Sequence, residues 1–186
     1  MKHHIPNIIT ATRIAAVPVL LWLAWNGYDR AFLVGLICAL ASDIIDGQIA
    51  RRFHLATPLG SLLDSWADFL TSLTLPFALF WLQPQTIPQL WIAFVLALAS
   101  YLLPIALGFL KFRRLTSYHT FLARVAAYAL GGSIVVLFAH GPKLPFQLSV
   151  FVLVIAASEE IAITCVLGTP RSNVGSLARV LRGNAD

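Results

Sequence analysis

The chain has 186 residues, 59% of them hydrophobic and 11% charged, with a formal net charge of +5. A soluble domain would carry about a quarter charged residues, so this composition and a mean hydropathy of +0.81 exclude an ordinary soluble globule and place the chain in a membrane. The positive charge suits an anionic lipid surface, no aromatic-interleaved basic module points to nucleic acid, and Cys38 and Cys165, far apart in apolar runs, read as small hydrophobes rather than a disulfide or zinc framework.

In chain order, Lys2, His3, His4 and Arg13 surround Ile5, Ile8 and Ile9, with Pro6 at a helix start; this predicts a short amphipathic interfacial helix within 1–13. No small-residue cleavage site follows the first hydrophobic run, which is therefore expected to be retained. A first span is expected over 14–26, with Trp22 and Trp25 near the far interface. After a turn at Gly27-Tyr28-Asp29-Arg30, a second span runs from Ala31 back to Arg51 and Arg52. Pro58 precedes a third span from Leu59 to just before Pro84. Residues 83–89 form a loop, and a fourth span covers 90–110, with Pro104 expected to kink it. Lys111, Arg113, Arg114 and His119 lead to a fifth span over 120–139 with Arg124 one turn inside it. A turn at 140–145 precedes a sixth span over 146–167 that holds the adjacent acids Glu159 and Glu160, and Arg171, Arg179 and Arg182 follow in a polar tail.

The fold class is thus an all-α integral membrane protein, one domain over 1–186, with six transmembrane helices and an N-terminal interfacial helix. Eleven of the thirteen Lys and Arg residues fall on one side, and only Arg30 and Lys143 on the other. The positive-inside rule then puts both termini in the cytoplasm. This is the topology expected of a multi-pass protein of a bacterial inner membrane, with its acids at the cytoplasmic face.

Those acids organise the chain. Asp43, Asp46, Gly47 and Ala50 fall at i, i+3, i+4 and i+7 of one helix, and Gly60, Asp64 and Asp68 at i, i+4 and i+8 of the next. Ionised carboxylates at membrane depth are costly unless paired, solvated or bound to metal. Two divalent cations would balance four carboxylates, and oxygen-only donors favour Mg²⁺ or Mn²⁺. Acids that line a channel or proton path, or that pair with Arg51 and Arg52, would explain the same residues.

Residues 43–68 read D-x2-D-G-x2-A-R-x8-G-x3-D-x3-D without a mismatch. The string resembles the motif of the CDP-alcohol phosphotransferase (CDP-alcohol phosphatidyltransferase) family, and Ile5-Pro6-Asn7 with Thr10 and Arg13 is similar to that family's opening segment. The resemblance implies a phospholipid-synthesis transferase that moves a phosphatidyl group from CDP-diacylglycerol to an alcohol and releases CMP. It implies two divalent cations held by Asp43, Asp46, Asp64 and Asp68, with Asp68 also taking the acceptor's proton. Pro6, Asn7, Ile8, Ile9, Gly47, Arg51 and Thr57 would contact the CDP-linked lipid donor, Ala50 and Gly60 would let the nucleotide approach closely, and the protein would be a homodimer among membrane lipids.

Lys111, Arg113, His119 and Arg124 are candidates for an anionic acceptor. An anchor at the membrane surface explains the same charges, and Arg124 is equally placed to brace Glu159 or Glu160. Members that make phosphatidylglycerophosphate carry Lys after the fourth aspartate, where this chain has Phe69. Two other readings remain: a CDP-choline or CDP-ethanolamine type reaction with diacylglycerol as acceptor, and a cation- or proton-coupled transporter. The absence of an internal repeat argues against transport.

Overall fold

The computed structural model describes residues 5–52, 58–113, 120–167 and 176–177, with side chains described except at 5–11, 46–52, 58–65 and 68. Among the described residues there are six α-helices and no strand: α1 (Ile5–Trp25), α2 (Asp29–Arg52), α3 (Pro58–Leu82), α4 (Ile87–Phe112), α5 (Phe121–Phe138) and α6 (Leu144–Val166). One 3-10 turn, Pro84–Thr86, joins α3 to α4. The stretches Pro84–Phe112, Phe121–Phe138 and Leu144–Val166 are long and apolar enough to cross a membrane, by length and composition. Leu110, Trp25 and Phe121 are 70%, 69% and 68% exposed; so much outward apolar surface suits contact with lipid rather than water. The chain divides into two compact units, 1–89 and 90–186.

In the first unit α1 packs against both α2 and α3. Three buried stripes share one helical spacing of i, i+4, i+7 and i+11. On α1 the buried positions are Arg13, Val17, Leu20 and Ala24, and on α3 they are Ala67, Thr71, Thr74 and Ala78. On α2, Phe32, Leu36 and Ala39 are buried and Asp43 takes the fourth place. Such spacing keeps one face of each helix turned to its neighbours. Gly27, at φ +73, lets α1 turn back: its N–H reaches Ala24 O, and the N–H of Tyr28 reaches Leu23 O. This is a Schellman ending in which glycine bears the left-handed backbone.

The second unit is built on α5 against α6. Ser149, Ala156 and Ile163, and beside them Val150, Ala157 and Thr164, are buried at heptad intervals on α6. Helices that bury such a repeat pack side by side at a shallow angle. Ser133 and Ser149 meet at 2.9 Å in that seam, while Thr120 caps α5 by accepting from the Ala123 N–H at 3.1 Å. Helix α5 ends in a second Schellman motif, with His140 at φ 57.

Two expectations need correction. Residues 2–13 and 14–26 were assigned to an interfacial helix and a separate span, but α1 is continuous from Ile5 to Trp25. The drop in hydropathy at Arg13 marks a change of side-chain chemistry, whereas helix continuity depends on local backbone bonds. Pro6 is harmless in the first turn, where its missing N–H has no partner to lose. The loop assigned to 83–89 is shorter than expected, because α4 already begins at Ile87 with Pro88 in its first turn.

Candidate active site

The motif straddles the end of α2 and the start of α3. The helical positions of Asp43, Asp46, Gly47, Ala50, Arg51, Gly60, Asp64 and Asp68 are described, but of their side chains only that of Asp43 is. Thr57 and His119 lie outside the described residues, as do the side chains of Pro6, Asn7, Ile8 and Ile9. Among the described residues no three His, Cys, Asp or Glu side chains converge, and three of the four motif aspartates fall outside that set.

Asp43 has one described partner. Nη1 of Arg13 donates to its Oδ1, forming an ion pair between α1 and α2. The Arg13 side chain is 2% exposed and the Asp43 side chain 39%. The two residues close their stripes at the same level. In an antiparallel pair of helices, facing positions have residue numbers with a constant sum, and Arg13 with Asp43, Val17 with Ala39, Leu20 with Leu36 and Ala24 with Phe32 all share one. The close approach of Leu20 to Gly35, where an added Cβ would lie 2.7 Å from the leucine Cδ2, fits that register. At the other end of the unit, the rings of Trp25 and Trp81 meet edge to face at 5.0 Å, and Trp22 lies 5.7 Å from Tyr28. The seam therefore runs from an aromatic end to a charged one. Thr71, three residues after Asp68, is buried with its hydroxyl unpartnered among the described residues.

The acceptor candidates belong to the second unit. Lys111 donates through Nζ to the carbonyls of Thr164 and Cys165 at 2.8 and 2.9 Å. It thereby caps the carbonyl end of α6, where a cation is favoured by the helix dipole. Arg113 is exposed and holds the left-handed position after α4, φ 54. Arg124 is exposed on α5, and among the described residues the ion pair formed is that of Arg13 with Asp43, so of the two roles open to Arg124 the brace to Glu159 or Glu160 is not formed. Glu159 instead accepts the backbone N–H of Leu177 at 3.0 Å, and Leu177 packs with Phe112 against Ile163 and Leu167. Sequence reasoning missed both contacts, since each joins residues too distant in the chain for local spacing to reveal. A shallow groove lined by Tyr128, Gly132, Ser133, Val136, Leu148 and Val152 among others has no charged residue in its lining.

The profile of the CDP-alcohol phosphatidyltransferase family matches residues 3–169. The chain belongs to that family. Among curated members, a cardiolipin synthase (CMP-forming) of Streptomyces coelicolor is 36% identical over 113 residues, 58% of this chain and 51% of the relative. A CDP-diacylglycerol--glycerol-3-phosphate 3-phosphatidyltransferase of Rickettsia bellii is 41% identical over 71 residues, 37% of this chain and 39% of the relative. A cardiolipin synthase (CMP-forming) / mitochondrial hydrolase fusion protein of Schizosaccharomyces pombe is 31% identical over 119 residues, 63% of this chain and 19% of the relative. The matched stretch thus spans about half the length of the first of these relatives and less of the other two. No solved structure matches the chain significantly.

Proposed function

We propose that this family member is a membrane-embedded transferase that moves a phosphatidyl group from CDP-diacylglycerol to an alcohol and releases CMP. The observation that carries the reading is the complete eight-position motif, from Asp43 to Asp68, in a chain matched by the family profile over residues 3–169. The helix frame supports it. By helical spacing Asp46 and Ala50 continue the α2 stripe of Phe32, Leu36, Ala39 and Asp43, and Gly60 and Asp64 continue the α3 stripe of Ala67 and Thr71, both on helices that pack against α1.

The residues suit divalent cations. All four motif acids offer hard oxygen donors, and the Asp43 Oδ2 has no hydrogen-bond donor among the described residues. Asp43, Asp46, Asp64 and Asp68 would hold two Mg²⁺ or Mn²⁺ ions, whose chemistry, when bound, is to withdraw charge from the bridging phosphate and from the departing CMP. Asp68 takes the proton of the acceptor hydroxyl as its oxygen bonds to the lipid-side phosphorus and the bond from that phosphorus to the CMP oxygen breaks. Arg51 offers forked donors to phosphate, and Gly47, Ala50 and Gly60 leave room for the nucleotide against the helices. The segment Pro6 to Ile9 and Thr57 complete the donor contacts.

At about 1.5 Å per residue, α1, α2 and α3 each extend beyond 30 Å, enough with the three apolar stretches of the second half for six spans. The Lys and Arg asymmetry puts both ends and the motif on the cytoplasmic side. One relative is named for glycerol 3-phosphate as the acceptor from CDP-diacylglycerol, and another for cardiolipin synthesis with release of CMP. The two acceptors to compare are therefore glycerol 3-phosphate and a glycerol-headed phospholipid, and Phe69 in place of lysine counts against the first.

The test is CMP release by the purified protein from CDP-diacylglycerol and from CDP-choline, with and without Mn²⁺, over both acceptors and diacylglycerol. Metal-dependent release from CDP-diacylglycerol that requires a glycerol-bearing acceptor is the expected result. Release from CDP-choline with diacylglycerol alone would overturn the assignment.

A further inference from the structure

We propose that Arg13 is a positioning residue for the reaction: through its ion pair it holds the Asp43 carboxylate in the orientation in which that carboxylate meets a divalent cation. The inference rests on the reading of Asp43 as a metal ligand given above.

An arginine in a membrane helix ordinarily extends its guanidinium toward the headgroups. Arg13 does the opposite, with a side chain 2% exposed in the same stripe as Val17, Leu20 and Ala24. An apolar residue at that position would continue the stripe without burying a charge, and well-packed apolar residues often replace buried ion pairs with no loss of stability. Packing alone therefore gives no reason for arginine here. The asymmetry of the pair supplies one. The cation is the enclosed member, while the carboxylate is 39% exposed; Oδ1 is engaged, and Oδ2 has no donor among the described residues. One oxygen is thus held by the guanidinium, and the partly exposed carboxylate keeps a second oxygen that can meet a cation.

The bond also joins two helices, between residues thirty positions apart. The direction of Asp43 is consequently set by α1 as well as by its own rotamer, and the packing of α1 against both α2 and α3 keeps that support in place. Partners of this kind orient metal ligands in many sites, and their loss typically weakens metal affinity or activity about 10- to 100-fold. Arginine suits the task better than lysine, because its charge is permanent and its planar fork restricts the angle of the carboxylate it holds.

The experiment is a Mn²⁺ titration of the purified full chain in detergent, without substrate, followed by the electron paramagnetic resonance of free Mn²⁺. Wild type is compared with Arg13→Lys, Arg13→Gln and Asp43→Asn, and melting and steady-state CMP release are measured on the same preparations. Arg13→Gln is expected to weaken Mn²⁺ binding about 10- to 100-fold and Arg13→Lys to weaken it less, with kcat falling and the donor KM unchanged. If Arg13→Gln does not elute as a folded protein, Arg13→Lys decides. Mn²⁺ affinity at the wild-type level in the Arg13 variants, with or without a lower melting temperature, makes the pair a brace and overturns the proposal. Tighter binding overturns it too, since the guanidinium would then be a competitor for the cation's place. Asp43→Asn separates the two levels: if it alone loses Mn²⁺, only the role of Arg13 fails, and if it binds Mn²⁺ normally, the reading of Asp43 as a ligand fails with it.

Discussion

Lys111 and Asp68 are both charged residues within long helices, α4 and α3, and their expected effects separate cleanly. Lys111 holds two carbonyls at the end of α6, so Lys111→Met should lower stability by about 1 kcal/mol while leaving the acceptor KM unchanged. Melting in detergent and acceptor kinetics check this; a raised acceptor KM with normal melting would return Lys111 to the acceptor site. Asp68→Asn should lower turnover by about 10²- to 10⁴-fold, the usual contribution of a positioned base, and more if a metal contact is lost with it. CMP release measures this, and near-normal turnover would remove Asp68 from the mechanism. The helices that carry the motif were legible in the sequence, since its spacing suits the end of α2 and the start of α3. The partner of Asp43 was not. Arg13 stood out only as part of a family-like opening segment, although the seam does carry a signal: each stripe is apolar until its last member, and those two members have opposite charge.

At the scale of helices, hydropathy gives the order of the six helices among the described residues and, for α2 to α6, nearly their ends, since long apolar runs bounded by proline, glycine and charge leave few alternatives. It failed where side-chain chemistry and backbone continuity part company, as along α1, which passes through Arg13 without a break. Interhelical hydrogen bonds were also illegible. Ser133 and Ser149 look like ordinary small residues in the chain, yet they bond at 2.9 Å in the buried α5–α6 seam. Such bonds contribute modestly between helices in membranes, so a double-mutant cycle with Ser133→Ala and Ser149→Ala should give a coupling of about 0.6 kcal/mol. Additive losses in melting or denaturant unfolding would show that the two hydroxyls do not stabilise the seam together.

For the whole molecule, charge distribution and the family match carry the most weight. The concentration of Lys and Arg on one side predicts that a reporter fused after Asp186 reads cytoplasmic; a reporter on the opposite side would contradict six spans with both termini in the cytoplasm. The central claim is that the group transferred is phosphatidyl and that the donor breaks on the CMP side of the lipid phosphate. The most direct measurement uses CDP-diacylglycerol labelled with ³²P at the lipid-side phosphorus, incubated with the purified protein, Mn²⁺ and a glycerol-headed phospholipid or glycerol 3-phosphate. The account predicts that the label passes to the new phospholipid and that the CMP released is unlabelled; labelled nucleotide, or a labelled lipid formed equally well by Asp64→Asn, would contradict it.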